Sequence, residues 1–174
     1  MQRDSVSCPR CSTTIDVPAL SFPLRDPTSA EITLTAKGGQ SDTPIACNVD
    51  LGRAIYAAQA HPGVGGAGTG ACSGDLLLGA LAACAQLTTQ MVAEAMGIQT
   101  ERIEVTVEGD LDLRGTLGVA PDAPVGFKAI RTHFNIVAPT ASEEQLVALR
   151  TKAEQYCVVL STLRTPPPMQ TTWD

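Results

Sequence analysis

Between Ile103 and Leu113 apolar and polar residues alternate one for one, with Ile103, Val105, Val107, Leu111 and Leu113 set against Glu104, Thr106, Glu108, Asp110 and Asp112. Period-two alternation sends the two sets to opposite faces of a strand, so this stretch predicts a half-buried strand with an acidic outer face. Residues Gly126 to Ala138 repeat the pattern: Ile130, Thr132, Phe134 and Ile136 share one face, and Arg131, His133 and Asn135 the other. The two strands are expected to pair. From Ser73 to Met96 the period changes to that of a helix, with Ser73 or Asp75 available as a cap and Gly97 as the stop. Its first half is apolar all round, which predicts a central helix covered on every side. Gly79, Ala80, Ala82, Ala83 and Ala85 leave room for another backbone to approach, and a second copy of the same helix is the expected partner. Ser142 to Gln145 reads as a capping box opening a helix that carries Leu146, Leu149, Ala153, Cys157 and Leu160 at helical spacing and runs to Arg164, before Pro166 to Pro168.

Upstream, the pattern is shorter in wavelength. Residues Glu31 to Ala36, Pro44 to Val49 and Arg53 to Ala58 predict short strands separated by turn-rich stretches at Lys37 to Asp42 and Asp50 to Gly52, an antiparallel meander. His61 to Gly70 is glycine-rich but lacks the Lys-Ser/Thr ending of a phosphate loop and the acidic residue of a dinucleotide fingerprint, so it reads as a flexible connection. Residues 1–22 show no sustained period and read as a tail, leaving 23–174 as a single domain. The predicted order is β-β-β-α-β-β-α with room for a terminal strand, an α+β arrangement.

Composition narrows the field. At 174 residues and 44% hydrophobic content the chain can bury one core. A net charge of −6 provides no basic patch for phosphates, which argues against nucleic acid and against an anionic membrane surface as partner. Met1 to Cys8 has no apolar signal segment, and the apolar run Leu76 to Ala85 is shorter than a bilayer span, so a soluble cytoplasmic protein is expected.

In a reducing compartment the six cysteines, at 8, 11, 47, 72, 84 and 157, read as buried hydrophobes, metal ligands or redox thiols. Cys84 has an apolar wall along its helix in Leu77, Ala80, Leu81, Leu87 and Met91, with Thr88 one turn on. Cys157 lies on the apolar stripe of the last helix. From position alone both are compatible with inert packing, and neither shows which group would stabilise a thiolate. Cys8 and Cys11 form half a zinc knuckle, but Cys47, Cys72, His61 and His133 do not complete it at metal-site spacing, so no metal is expected and the tail thiols read as oxidisable.

Taken in order, Gly74 to Cys84, Gly97-Ile98, the acidic strand Val107 to Gly118, Gly126-Phe127 and Ala153 to Cys157 resemble the family of osmotically inducible protein C (OsmC) and organic hydroperoxide resistance protein (Ohr), with the likeness running from about Glu31 to Pro168. The resemblance implies antiparallel sheets wrapped around a long buried central helix in an intertwined homodimer. It also implies a cysteine peroxidase without metal, haem or flavin, which reduces small organic hydroperoxides to alcohols and is recycled by an external dithiol. On this likeness Cys84 is the peroxidatic and Cys157 the resolving cysteine. Asp75 stands where the better-known members carry a glutamate, and Arg53 is the counterpart of their thiolate-holding arginine, because the Lys37 to Asp42 turn has none. Val158 follows Cys157 where those members usually carry proline. The alternative within the same fold is a non-catalytic protein that binds a small apolar molecule at the dimer interface.

Overall fold

The computed structural model describes residues 5–7, 14–16, 36–40, 46–50 and 55–173. Seven strands and four helices are defined there: β1 (Ser5–Ser7), β2 (Thr14–Asp16), β3 (Lys37–Gln40), β4 (Ala46–Asp50), β5 (Ile55–Gln59), α1 (Ser73–Ala95), β6 (Arg102–Asp110), α2 (Leu113–Thr116), β7 (Ala129–Val137), α3 (Glu143–Tyr156) and α4 (Val158–Arg164). The alternation of α1, β6, β7 and α3 is the α+β pattern that the sequence predicts. Cys8, Cys11 and Arg53 lie outside the described residues, as do the predicted strand at 31–35 and the side chain of Cys47.

The chain divides into two compact units. One comprises residues 20–78 and 108–130. Its sheet is the meander β3-β4-β5, antiparallel throughout, with Gln40 opposite Cys47 and Ala46 opposite Gln59. Lys37–Gln40 corrects the expected turn: Gly38 and Gly39 keep every backbone donor and acceptor a ladder needs, and at an edge strand the missing side chains cost little. The glycine-rich connection is anchored rather than loose, since Gln59 binds Thr69 through its side chain (2.8 Å) and its N–H donates to the Ala71 carbonyl (2.9 Å). His61 caps a 3-10 turn at Pro62–Val64 by accepting the Gly63 N–H on Nδ1.

The other unit comprises residues 1–19, 79–107 and 131–174. Within the stretch expected to be a tail, β1 and β2 pair antiparallel, Ser7 opposite Thr14. The core of this unit gathers Val92, Ala93, Ile98 and Leu149, with Met96, Ile103, Ile136, Ala138, Ala141 and Tyr156 packed around them. Helix α1 ends as its glycine predicts. Gly97 sits at φ 68°, its N–H donates to Glu94 and the Ile98 N–H to Ala93, the paired bonds that satisfy the last carbonyls of a helix.

Strands β6 and β7 are hydrogen-bonded neighbours, as expected, and the bonds Lys128 N to Asp110 O and Glu101 N to Val137 O fix them as antiparallel. Residue exposure alternates along β6 throughout its length. The capping box of α3 is complete: Ser142 Oγ accepts the Gln145 N–H (3.2 Å) and Gln145 Oε1 accepts the Ser142 N–H (2.9 Å).

Two further expectations need correction. The final helix is not continuous: α3 stops at Tyr156, Cys157 is extended (φ −70°, ψ 106°), and α4 starts afresh at Val158. No terminal strand forms among residues 165–173, where Met169 and Trp173 are exposed. Within the single chain helix α1 is covered along one side. Leu81, Ala85, Thr89, Val92 and Ala93 are buried, while Leu87 and Met91 are 59% and 60% exposed. At its full 23 residues α1 is long and apolar enough to cross a bilayer by length and composition, a property that core helices share.

Candidate active site: two thiols at a helix break

Residues 81, 85, 89 and 92 are among the buried positions of α1, and 80, 83, 87 and 91 among the exposed ones. At 100° per residue these are two stripes, and Cys84 lies on the border between them. It is therefore half-buried, held by a helix whose buried side is fixed in the core. Thr88, one turn later on the same border, has its Oγ1 4.0 Å from Cys84 Sγ. Its neighbour Thr89 faces inward and donates to the Ala85 carbonyl at 2.7 Å, so no buried hydroxyl is left unpaired.

Cys157 closes α3 and opens α4, and its side chain is fully buried. The first N–H groups of a helix have no intrahelical partner, and no side chain caps α4. The backbone amides of Val159 and Val158 lower the Cys84 thiol, and those of Leu160 and Val159 act in the same direction on Cys157. The two thiols are near enough to shift each other, Cys157 lowering Cys84 and Cys84 raising Cys157.

This arrangement separates two chemically identical groups. Burial pushes the Cys84 thiol up, but the Val159 N–H, the Cys157 thiol, the Thr88 hydroxyl and the Val158 N–H together outweigh it and leave Cys84 below the ordinary thiol value. Burial likewise pushes Cys157 up; its amide donors offset this only partly, and an adjoining Cys84 thiolate adds to the rise. At a pH between the two values the pair holds one thiolate on the accessible sulfur and one proton on the sealed one. That is the protonation state a nucleophile with a waiting partner thiol requires.

All groups acting on Cys84 among the described residues are neutral donors, and no cation is among them. Arg102, Arg114, Arg150 and Arg164 are engaged with Glu104, Asp112, Glu143 and Glu154. The structure places Asp75 elsewhere. Its carboxylate accepts the Cys72 N–H at 2.8 Å, and that bond, then the Cys72 thiol, hold it below the usual carboxylate range, with His61 adding a smaller electrostatic pull against slight burial. Asp75 thus serves the start of α1, and nine residues of helix, about 13 Å of rise, separate it from Cys84. Of the four sequence-predicted site residues, Cys84 and Cys157 are brought together, Asp75 is bonded to Cys72, and Arg53 lies outside the described residues.

Sequence reasoning missed the amides of Val158 and Val159. The signal that would have shown them is a proline after the cysteine, which marks the first position of a new helix. Val158 carries no such mark.

His133, exposed on β7, lines a groove of about 420 Å³ with Thr132, Asn135, Arg150, Ala153 and Glu154, which does not include either cysteine. Among the described residues no group of three His, Cys, Asp or Glu side chains is placed to hold a metal.

The family profile of OsmC-like proteins matches residues 66–172. Solved structures share the fold at low identity. An OsmC-like protein from Mycoplasma pneumoniae superposes with a TM-score of 0.66 at 19% identity over 78% of this chain and 90% of that one. An organic hydroperoxide resistance protein from Legionella pneumophila gives 0.59 at 23% over 78% and 92%. One from Elizabethkingia anophelis, with thiocyanate bound, gives 0.60 at 22% over 78% and 91%. No curated protein matches the sequence.

Proposed function

The chain belongs to the OsmC-like protein family, and from that premise we propose that it is a thiol peroxidase that reduces organic hydroperoxides through Cys84 and Cys157. The observation that carries this reading is the neighbouring thiol pair in which Cys84 is half-buried and shifted down and Cys157 is buried and shifted up. Neighbours in fold that are called organic hydroperoxide resistance proteins support the choice of substrate class.

The Cys84 thiolate attacks the outer oxygen of the peroxide. The O–O bond breaks, the departing alkoxide takes a proton and leaves as alcohol, and Cys84 becomes a sulfenic acid. The Cys157 sulfur then attacks Cys84, its proton and the sulfenic hydroxyl leave as water, and a disulfide closes. An external dithiol restores both thiols. Arg53 is the candidate cation of the resting site. The reading includes a homodimer that covers the exposed stripe of α1, and a reducing, cytoplasmic location that keeps the pair as thiols.

The test is stoichiometric. One equivalent of an organic hydroperoxide should consume two thiols per chain, and peptide mapping should find Cys84 joined to Cys157. Cys84→Ser should abolish turnover, whereas Cys157→Ser should leave a Cys84 sulfenic acid that dimedone traps. A wild type that ignores organic hydroperoxides, or reacts through Cys8 and Cys11, would replace the peroxidase with a non-catalytic protein that binds a small apolar ligand.

A further inference from the structure

Resting on the two-thiol reading above, we propose that the recycling dithiol enters at Cys84: its thiolate attacks the Cys84 sulfur of the disulfide, forms a mixed disulfide there and expels Cys157 as thiolate. The second thiol of the same reductant then attacks its own sulfur in that mixed disulfide. This forms the reductant's intramolecular disulfide and releases Cys84 as thiolate, while Cys157 recovers a proton from solvent. Two electrons and two sulfur–sulfur bonds are accounted for, and no other co-reactant is needed.

Two considerations oppose each other here, and the geometry decides between them. Exchange is faster when the leaving sulfur has the lower pKa. On that ground attack should fall on Cys157, because Cys84 is the thiol that its neighbours stabilise as an anion. Access points the other way. The attacking sulfur must approach along the line of the bond to be broken, and Cys157 has no exposed surface from which to begin that approach. It sits between Tyr156, packed against the core, and Val158, whose side chain is exposed and marks the outer side of α4.

Cys84 instead lies on the border of the exposed stripe of α1. A leaving-group preference changes a rate by degrees, whereas a sulfur without surface cannot be reached at all unless the helix break opens first. The expelled Cys157 is not stranded as an anion, because the backbone amides of Leu160 and Val159 favour its charged form. The site thus uses one accessible sulfur for both halves of the cycle, peroxide first and reductant second. The reductant must present a leading thiol to Cys84.

The experiment starts from protein oxidised with diamide, so it does not depend on peroxide turnover. The disulfide is exposed briefly to 2-mercaptoethanol, quenched in acid and alkylated with N-ethylmaleimide in denaturant. Peptide mapping, which keeps the other four cysteines out of the reading, should place the mercaptoethanol adduct on Cys84 and the maleimide on Cys157. Adduct on Cys157, or an even division between the two, overturns the proposal. Single variants give a second measurement: with 5,5′-dithiobis(2-nitrobenzoate) in native buffer, Cys84 of Cys157→Ser should react, whereas Cys157 of Cys84→Ser should react only after denaturation. Equal native reactivity overturns it as well. Inertness towards hydroperoxides with the adduct on Cys84 would sink the peroxidase and leave this inference standing, and failure of diamide to close the Cys84–Cys157 bond would sink both.

Discussion

Cys84 and Cys157 share one patch of protein, yet their thiols move in opposite directions because each sulfur counts its donors differently. Burial raises both, but two amides, a thiol and a hydroxyl bring Cys84 down, whereas two amides offset burial only partly at Cys157 and Cys84 raises it further. Thr88 is the side chain in that set whose removal leaves both thiols in place. Thr88→Val keeps the shape and deletes the donor, so the midpoint for alkylation of Cys84 by iodoacetamide should move to higher pH. A hydrogen bond to a charged group contributes roughly 1.5–3 kcal/mol, and at the long contact seen here an effect of about half a pH unit to one unit is expected. Thr88→Ser should restore the wild-type profile.

Reactivity is the right readout because stability partly conceals the effect. The depressed Cys84 stabilises the fold above the unfolded thiol value and loses that contribution as pH falls through its folded value. The raised Cys157 does the reverse, stabilising below the unfolded value and losing it as pH rises through its own. At this scale Cys84 and Thr88 were legible as helix positions, since a 3.6-residue period places them directly, whereas Cys157 was expected inside a helix and is extended at a break. The contact between the two cysteines was not legible, because it depends on a break that no periodicity announces.

That break belongs to the scale of elements. Helix α1 with its glycine stop, β6 and β7 with their alternation, and the Ser142 capping box were readable because each signal acts within a few residues. Strand β3 was not, because its partner β4, rather than its own glycines, decides its conformation. The division between α3 and α4 was hidden since Leu149, Ala153, Cys157 and Leu160 keep helical spacing straight through it.

Val158→Pro tests what the break is for. Proline suits the first position of a helix, and Cys157 already has the extended conformation that a residue before proline adopts. The variant should keep the wild-type circular dichroism spectrum. It removes the Val158 N–H, the weakest of the donors to Cys84, so the Cys84 alkylation midpoint should rise by less than in Thr88→Val. An unchanged midpoint would mean that the amide does not act on the sulfur.

For the whole molecule the outstanding fact is the open stripe of α1. A central helix was expected to be enclosed, and within one chain only one face of it is: Leu87 and Met91 keep more than half their surface in water, with Ala80 and Ala83 exposed between the turns. Small residues flanked by larger apolar ones suit the close approach of a second helix, and covering the exposed remainder of Leu87 and Met91 contributes about 1–2 kcal/mol each per copy. The wild type should therefore sediment as a dimer at micromolar concentration, and Leu87→Glu combined with Met91→Lys should sediment as a monomer. Both side chains are exposed in the single chain, so the variant should keep its helical spectrum. Both thiols lie in the same compact unit of one chain, so diamide should still close the Cys84–Cys157 bond in that monomer. Its rate with an organic hydroperoxide should nevertheless fall, because in the proposed dimer a partner helix would add apolar surface beside Cys84 against which the substrate's organic group can rest. A monomeric wild type would remove the partner from that wall, and a monomeric variant with undiminished hydroperoxide turnover would show that one chain makes the whole site.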